Sequence, residues 1–257
     1  MQGSIIAWTD NTANFWMGCN KVSPGCAHCY AETLTINRMG LKVWGPDAKR
    51  QPVAGIYANL RRWNRHAAAA QQRARVFVMS LGDFFEDHPA ANAVRPQAWD
   101  AMRACEWLDF QVLTKHPENI PAMLPAGWDV APWPNIWLGT SIENDRHTVR
   151  ADLLTQIPAA VHFISAEPLL GPLPSLSLKH IEWVIVGGES GPGFRPMDHE
   201  WARELAVRCR KAKVAFFFKQ SAAPRTEMGI ELDGQIQRAY PRTPYDRKPR
   251  RAAGALF

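Results

Sequence analysis

Three cysteines lie close together near the N-terminus, in the stretch CNKVSPGCAHCY at residues 19–30. The Ser-Pro-Gly between Cys19 and Cys26 favours a turn, and a helical pattern, AETLTINRM, opens just after Cys29. A loop that ends at a helix N-terminus offers backbone N–H groups and a favourable dipole. We therefore expect this loop to lower the pKa of its thiols and to hold a metal centre.

The number of ligands separates the candidate centres. Structural zinc takes four protein ligands and usually shows a second Cys or His pair, but the sequence contains no second C-x-x-C. His28 lies between two of the cysteines, so a zinc site would need a distant histidine. Three cysteines without a fourth suit a four-iron cluster whose remaining iron binds a small molecule. We expect an iron–sulfur cluster, with zinc or no metal as the alternatives.

Composition describes an ordinary globular chain of 257 residues, 46% hydrophobic and 21% charged. No stretch approaches the roughly 18 apolar residues of a membrane span, and no secretory signal opens the sequence. We therefore expect a cytoplasmic protein without a membrane partner. In that reducing compartment the five cysteines do not indicate disulfides. Cys105 and Cys209 lie in amphipathic helical patterns, and we expect both to be buried core residues.

A regular series of strands and helices forms the rest of the pattern. Most of the apolar runs are continuous rather than alternating, which is typical of parallel strands covered on both faces. Helical patterns at 94–108, 144–156 and 199–212 lie between them and predict an α/β fold, doubly wound or barrel-like. The runs are RVFVMS, FQVLT, NIWLGTS, VHFIS, EWVIVGG and VAFFFK, with SIIAWT as a possible first strand.

A charged residue follows each of these runs within a few positions. In barrels of parallel strands the carboxyl ends carry the active site, so we expect a shared mouth into which the cysteine loop also opens. The alternative is that each charge is a solvated loop residue. The residues are Asp10, Asp83, Lys115, Glu143, Glu167, Glu189 and Lys219.

Together these pieces resemble the radical S-adenosylmethionine (SAM) superfamily, and more closely a phage-associated family of unknown function with the same three-cysteine signature. The resemblance spans about residues 5–220. It implies a partial (βα)6 TIM-like barrel whose 4Fe-4S cluster is held by Cys19, Cys26 and Cys29, with SAM chelating the open iron. The spacing C-x6-C-x2-C is longer than the superfamily's usual C-x3-C-x2-C. The matching fragments include GCNKVSPGCAHCYAET, FVMSLGDFFED, LTKHPEN, IWLGTSIEN, FISAEPLLGPL, WVIVGGESGPGFRPM and FFFKQ.

The resemblance also implies SAM-binding residues. Lys115 would pair with the SAM carboxylate, and Asp83 or Ser80 would accept from its ammonium group. Glu167 and Glu189 would contact either the ribose or the substrate. The expected cofactor-binding set is Ser80, Asp83, Thr114, Lys115, Ser141, Glu143, Glu167 and Glu189.

The implied reaction is radical chemistry. The reduced cluster would pass an electron to the sulfonium of SAM, a C–S bond would break, and a 5′-deoxyadenosyl radical would take a hydrogen from the substrate. The cofactors carry this chemistry. An electron donor protein is therefore an implied partner.

Two basic segments indicate the substrate class. Residues 30–75 hold nine Lys or Arg against two acids, and residues 238–251 hold six against one. Such segments attract polyanions, and Trp63 among the arginines could stack on a base. We expect a nucleic acid or nucleotide substrate. The alternative is a solvated basic surface on a protein of net charge +6.

The remaining segments are assigned as follows. Residues 42–75 look like an insertion between the first helix and the second strand, in a barrel domain of residues 1–220. Residues 221–257 predict an appended hairpin, turning at Asp233 and Gly234, and a flexible basic tail. GGESGPG lacks a phosphate-loop pattern and is a glycine-rich turn or a plain loop.

Two functions from other classes remain open. A metal-dependent nucleic-acid hydrolase would hold Mg²⁺ or Mn²⁺ on Asp83, Glu143, Glu167 and Glu189, with zinc on the cysteines. A non-catalytic nucleic-acid-binding module would use the cluster as a structural or redox-sensing group.

Overall fold

The computed structural model describes residues 3–246 of the chain. Within that range the strands are β1 (Asn11–Ala13), β2 (Trp16–Met17), β3 (Gln51–Pro52), β4 (Ala74–Val78), β5 (Leu108–Thr114), β6 (Ile136–Ser141), β7 (Val161–Ala166), β8 (Trp183–Gly187) and β9 (Ala215–Gln220). The α-helices are α1 (Tyr30–Asn37), α2 (Ile56–Ala70), α3 (Pro89–Arg103), α4 (Ile120–Met123), α5 (Val149–Leu154) and α6 (His199–Ala212).

Seven of the strands form one parallel sheet in the order β1-β4-β5-β6-β7-β8-β9. The order of these seven strands in the sheet is the same as their order in the sequence. Because crossovers between parallel strands are right-handed, this order places the helices on one face. The sheet curls into a half-barrel, which confirms the predicted partial TIM-like barrel with seven strands in place of six. β2 and β3 form a separate antiparallel pair.

The two faces of the sheet have separate cores. The outer face packs under the helices, and its side chains belong to the main hydrophobic core. The inner face carries a second, smaller cluster that is mostly aromatic. Since side chains alternate between the faces of a strand, neighbouring residues of one strand enter different cores. The inner aromatic cluster includes Trp8, Phe77, Trp137, Phe163, Trp183 and Phe217.

The prediction of a first strand at SIIAWT is wrong. Residues 4–9 form bends and turns, closed by a hydrogen bond from Thr9 N to Ile6 O of 3.2 Å. Trp8 packs its ring 4.6 Å from that of Phe77 in the inner aromatic cluster, so this apolar segment joins the barrel interior without becoming a strand. Asp10 therefore precedes β1. Its carboxylate pairs with Arg75 at the start of β4, at the amino end of the sheet and away from the expected mouth.

The predicted helices form, with shifted ends in two cases. The 199–212 pattern matches α6. α3 begins before residue 94 because His88 caps it, accepting from Ala90 N at 3.2 Å. The 144–156 pattern divides into a short 3-10 turn and α5. Cys105 and Cys209 are buried as expected. No helix between residues 3 and 246 has the length and apolar content needed to cross a bilayer.

Residues 42–75 contain part of the barrel itself. α2 buries Ile56, Leu60 and Ala67 against the sheet and is the crossover helix between β1 and β4. Trp63, which could stack on a base, is half-buried and packs against the main core.

The chain after β9 makes the predicted turn but only a minimal hairpin. Asp233 and Gly234 both have positive φ, 55° and 70°, and Leu232 N donates to Gln235 O at 2.9 Å. Beyond the turn, residues 237–239 run antiparallel beside β9, with Phe218 N donating to Gln237 O at 2.7 Å. This segment covers the β9 edge of the sheet. The predicted basic tail lies mainly outside the described residues.

Candidate functional site

A cavity of about 420 Å³ opens at the carboxyl ends of the strands. The cysteine loop forms one wall, and the segments after β4 to β9 form the others. The structure therefore brings together residues that lie up to 221 positions apart in the sequence. The predicted site residues that line the cavity are Cys19, Cys26, Cys29, Ser80, Asp83, Thr114, Lys115, Ser141, Glu167 and Glu189.

All three cysteines of the loop are partly exposed and unpaired in disulfides. Cys26 ends the 3-10 turn Pro24–Cys26, and Cys29 is the residue before α1. The ligands of a single zinc ion must all lie about 2 Å from one point. Among residues 3–246, no three His, Cys, Asp or Glu side chains are close enough to hold one metal ion. The three thiols thus line a common cavity without forming a closed single-ion site in the described part of the chain.

The predicted lowering of the thiol pKa values is wrong for two of the cysteines. Burial raises the pKa of Cys19 well above its ordinary value, and the nearby carboxylates of Asp83 and Glu86 raise it further. Burial also raises the pKa of Cys29, although the backbone N–H groups at the start of α1 act in the opposite direction. Desolvation outweighs the helix dipole here. A bound metal centre would supply the positive charge that thiolates in this loop need.

Glu143 contacts the cysteine loop but is not among the residues that line the cavity. Its side chain is fully buried, and Arg150 Nη1 donates to Oε2 at 2.9 Å. The Ser23 hydroxyl donates to the other oxygen, Oε1. Gly25 lies so close that an added Cβ would stand 2.5 Å from that oxygen. The structure therefore places Glu143 as an anchor of the loop.

Glu189 holds the same loop from the side of β8. Arg195 donates to Glu189 Oε2 through its backbone N at 2.8 Å and its Nε at 3.0 Å, and His28 Nδ1 lies 2.8 Å from that oxygen. Arg195 Nη1 also donates to Pro24 O at 3.0 Å. Burial alone would raise the pKa of Glu189, but these hydrogen bonds lower it to about 2.

Residues 43–50 also contact the cysteine loop and hold it in place. Gly45 N donates to Cys19 O at 3.0 Å. Gly18 has φ +112°, and an added Cβ would stand 2.2 Å from Val43 O, so only glycine fits there. A buried pair between Arg50 and Glu86, 2.8 Å apart, fixes this segment, because Arg50 Nη1 also donates to three of its carbonyl groups. Part of the predicted insertion thus shapes the site.

The residues after β4 and at the end of β5 form another wall of the cavity, and hydrogen bonds link them to each other. Asp83 accepts from Thr114 Oγ1 at 2.6 Å and from Lys115 N at 2.8 Å. Ser80 Oγ accepts from Asn14 Nδ2 at 3.0 Å. The Lys115 side chain lines the cavity and is 22% exposed, and its ammonium lies 4.0 Å from the buried carboxylate Glu143. Lys115 is therefore available to an anionic group in the cavity.

A further wall of the cavity comes from the ends of β7, β8 and β9. Lys219 Nζ lies 2.9 Å from Glu167 Oε1. The first two glycines of GGESGPG, Gly187 and Gly188, make room for protein rather than for a ligand. An added Cβ at Gly187 would stand 2.7 Å from Glu167 Oε1, and one at Gly188 would stand 2.1 Å from Ala222 N.

Sequence reasoning missed several residues of this site. Ser165 lines the cavity at the end of β7, and its signal was available, since Ser80 follows β4 and Ser141 ends β6 in a similar way. Arg150 and Arg195 hold the two anchoring carboxylates from α5 and from an irregular loop. No local pattern marks an arginine for such a contact. Arg225, in the loop after β9, lines the cavity without any strand-end signal.

Comparison with protein families gives one match over most of the chain. Residues 3–241 match the family described as "Protein of unknown function (DUF5131)". No curated protein matches the chain, and no solved structure matches it. Since the matched range covers far more than half of the sequence, this chain is a member of that family of unknown function.

Proposed function

We propose that the protein is a radical SAM-type enzyme that acts on a nucleic acid or nucleotide. The observation that carries the proposal is the position of the three cysteines. They stand on one wall of a cavity at the carboxyl ends of a parallel half-barrel, where such folds build active sites.

The residues present fit a four-iron cluster held by three thiolates. Each thiolate of such a cluster binds a different iron, so the ligands need not meet at one point. The partly exposed cysteines face a cavity large enough for a cofactor of nucleoside size. When bound, the cluster and SAM supply one-electron chemistry and a carbon radical.

The chain's own residues would bind and orient the cofactor. Lys115 offers an ammonium to a carboxylate in the cavity, and Ser141 and Ser165 offer hydroxyl groups from the next two strands. Glu143 and Glu189 keep the cysteine loop in place through Ser23 and His28. Loop anchoring of this kind reduces the conformational entropy lost when a cofactor is bound.

The hydrolase alternative finds less support in the contacts of its carboxylates. Each already has its own partners: Asp83 accepts from Thr114 and from the Lys115 backbone. The other three pair with cations. Those pairs are Glu143 with Arg150, Glu167 with Lys219 and Glu189 with Arg195.

An exposed basic surface supports the proposal of a nucleic-acid substrate. This surface is smaller than the sequence predicted, because some of its cations are paired. Of the nine cations in residues 30–75, Arg50, Arg73 and Arg75 pair with Glu86, Asp109 and Asp10. The remaining six are exposed and can attract a polyanion. They are Arg38, Lys42, Lys49, Arg61, Arg62 and Arg65.

Anaerobic purification with iron and sulfide counting tests the cluster. We expect about four of each per chain and a change in the magnetic resonance signal of the reduced cluster when SAM is added. Cys26→Ala should lose the iron, whereas Cys105→Ala, which removes a buried thiol outside the site, should keep it. Zinc without iron, or equal iron in the two variants, would contradict the proposal.

A second experiment tests the reaction and the substrate. The reduced, iron-loaded protein should release 5′-deoxyadenosine from SAM. Binding to single-stranded DNA should weaken steeply as salt rises, since phosphate contacts release counterions. No 5′-deoxyadenosine from fully loaded protein would exclude the radical reaction, and salt-independent or absent binding to both DNA and RNA would exclude the substrate class.

A further inference from the structure

We infer that the cavity wall at the ends of β7, β8 and β9 is an anion subsite for a phosphate group of the substrate. Its two cations are Lys219, near the end of β9, and Arg225, in the loop that follows, and both line the cavity. The inference rests on the proposed function for its substrate class, because it names the group by which a nucleotide would be held.

Lys219 is held in a defined position. Its ammonium lies 2.9 Å from Glu167 Oε1, and both side chains are mostly buried, with 16% and 15% of their surface exposed. Ser165 Oγ donates to the second oxygen, Glu167 Oε2, at 3.3 Å. An ammonium group has three donor hydrogens, and one carboxylate oxygen engages only one of them. Lys219 therefore keeps donors for a ligand in the cavity.

Arg225 differs from Lys219 in having no carboxylate within 4.0 Å anywhere in residues 3–246. It is exposed at the cavity mouth, next to Thr226, which also lines the cavity. A guanidinium group presents a planar fork that matches two oxygens of one phosphate. An arginine that lines a cavity without a counter-ion is suited to a ligand that brings the negative charge.

The net charge of the subsite is complementary to that of one phosphodiester group. Lys219 and Arg225 contribute two positive charges and Glu167 contributes one negative charge, while Arg195 neutralises the neighbouring Glu189. The wall therefore has a net charge of about +1 at neutral pH. One phosphodiester group carries one negative charge. The hydroxyl of Ser190 lines the same wall and can donate to a further phosphate oxygen. These groups together match a nucleotide linkage better than they match a neutral substrate.

Binding of a short oligonucleotide to the full chain tests the subsite. The probe is a fluorescent single-stranded DNA of five nucleotides, paired with the same sequence carrying neutral methylphosphonate linkages. Arg225→Gln should weaken binding of the charged probe about tenfold, in line with the loss of one charge-assisted contact, and should leave the neutral probe unaffected. Arg210→Gln, which removes an exposed arginine of α6 outside the cavity, is the matched control and should change neither.

Glu167→Gln gives a change of opposite sign. It removes the negative charge beside Lys219, so the charged probe should bind about threefold more tightly. Equal losses in Arg225→Gln and Arg210→Gln, no loss in Arg225→Gln, or weaker binding to Glu167→Gln would each overturn the inference. SAM binding to the iron-loaded protein is measured in parallel. Phosphate-dependent binding without a SAM response contradicts the proposed function alone, and a SAM response without Arg225 dependence contradicts the subsite alone.

Discussion

The inner face of the half-barrel has a lower half, which is the inner aromatic cluster, and an upper half, which is the cavity at the carboxyl ends of the strands. The two halves share the same strands but differ in chemistry. On β6 the inward side chains change from Trp137 to Ser141, and on β9 they change from Phe217 to Lys219. Each step of two residues advances about 7 Å along a strand. Aromatic packing therefore gives way to a polar cavity within one or two steps.

This difference separates stability from function along each strand. The lower half is fully buried and closes the inside of the barrel, with Trp183 at its centre in contact with the rings of Trp8, Trp137 and Phe217. The upper half leaves polar groups exposed to a cavity. Substitutions in the lower half should change the free energy of unfolding, and those in the upper half should change binding.

The largest expected effect on stability comes from Trp183→Ala. It removes a fully buried ring and its hydrogen bond to Ala239 O, so we expect a loss of about 3–5 kcal/mol in the free energy of unfolding. Trp44→Ala removes a half-buried ring from the cavity rim and should cost less than half as much. Denaturant titration measures both. Equal losses would remove the distinction between the halves.

Gly139→Ala tests the point where the two halves meet. An added Cβ would stand 2.3 Å from the Phe163 ring. The ring must shift within a close-packed cluster, which should cost about 1–3 kcal/mol. Gly55→Ala is the control, because its added methyl group has nothing within 4 Å. Gly127→Ala is unsuitable as a control, because Gly127 has a positive φ. An unchanged midpoint for Gly139→Ala would show that the inner aromatic cluster is loosely packed.

The Glu189 pair predicts an acid-sensitive anchor in the upper half. The folded pKa of about 2 lies below the ordinary value of 4.5, so this carboxylate contributes stability that is fully present above about pH 5 and is lost as the pH falls towards 2. The contribution is on the order of 1 kcal/mol, because Arg195 and His28 are partly exposed. Glu189→Gln should flatten the pH dependence of unfolding over this range. A profile that matches the unmodified chain would refute the assignment.

Lys115→Gln should have the smallest effect on stability, within about 0.5 kcal/mol, because the side chain is partly exposed and its nearest carboxylate is 4.0 Å away. If Lys115 binds the SAM carboxylate, SAM affinity should fall about tenfold. Calorimetric titration of the iron-loaded protein checks this. A large loss of stability with unchanged SAM affinity would make Lys115 a structural residue.

The most predictable parts of this protein were those whose signal is local. α6 matches its periodic pattern residue for residue, and six of the runs read as strands became strands. The first strand was mispredicted because Ile6 and Trp8 are apolar for a different reason, which is packing inside the barrel. Glu143 was expected at the cofactor, but its contacts with Arg150 and Ser23 place it behind the loop. The contact between Ser23 and Glu143 joins residues 120 positions apart.

The sequence by itself determined the order of strands and helices, the trio of cysteines and the polar residues after each strand. These depend on periodicity, turn chemistry and residue type, which act over a few neighbours. Only the tertiary structure decided which of the polar residues line the cavity and which hold the loop. It also decided the thiol pKa values, because burial and surrounding charges depend on segments that meet only when the barrel closes.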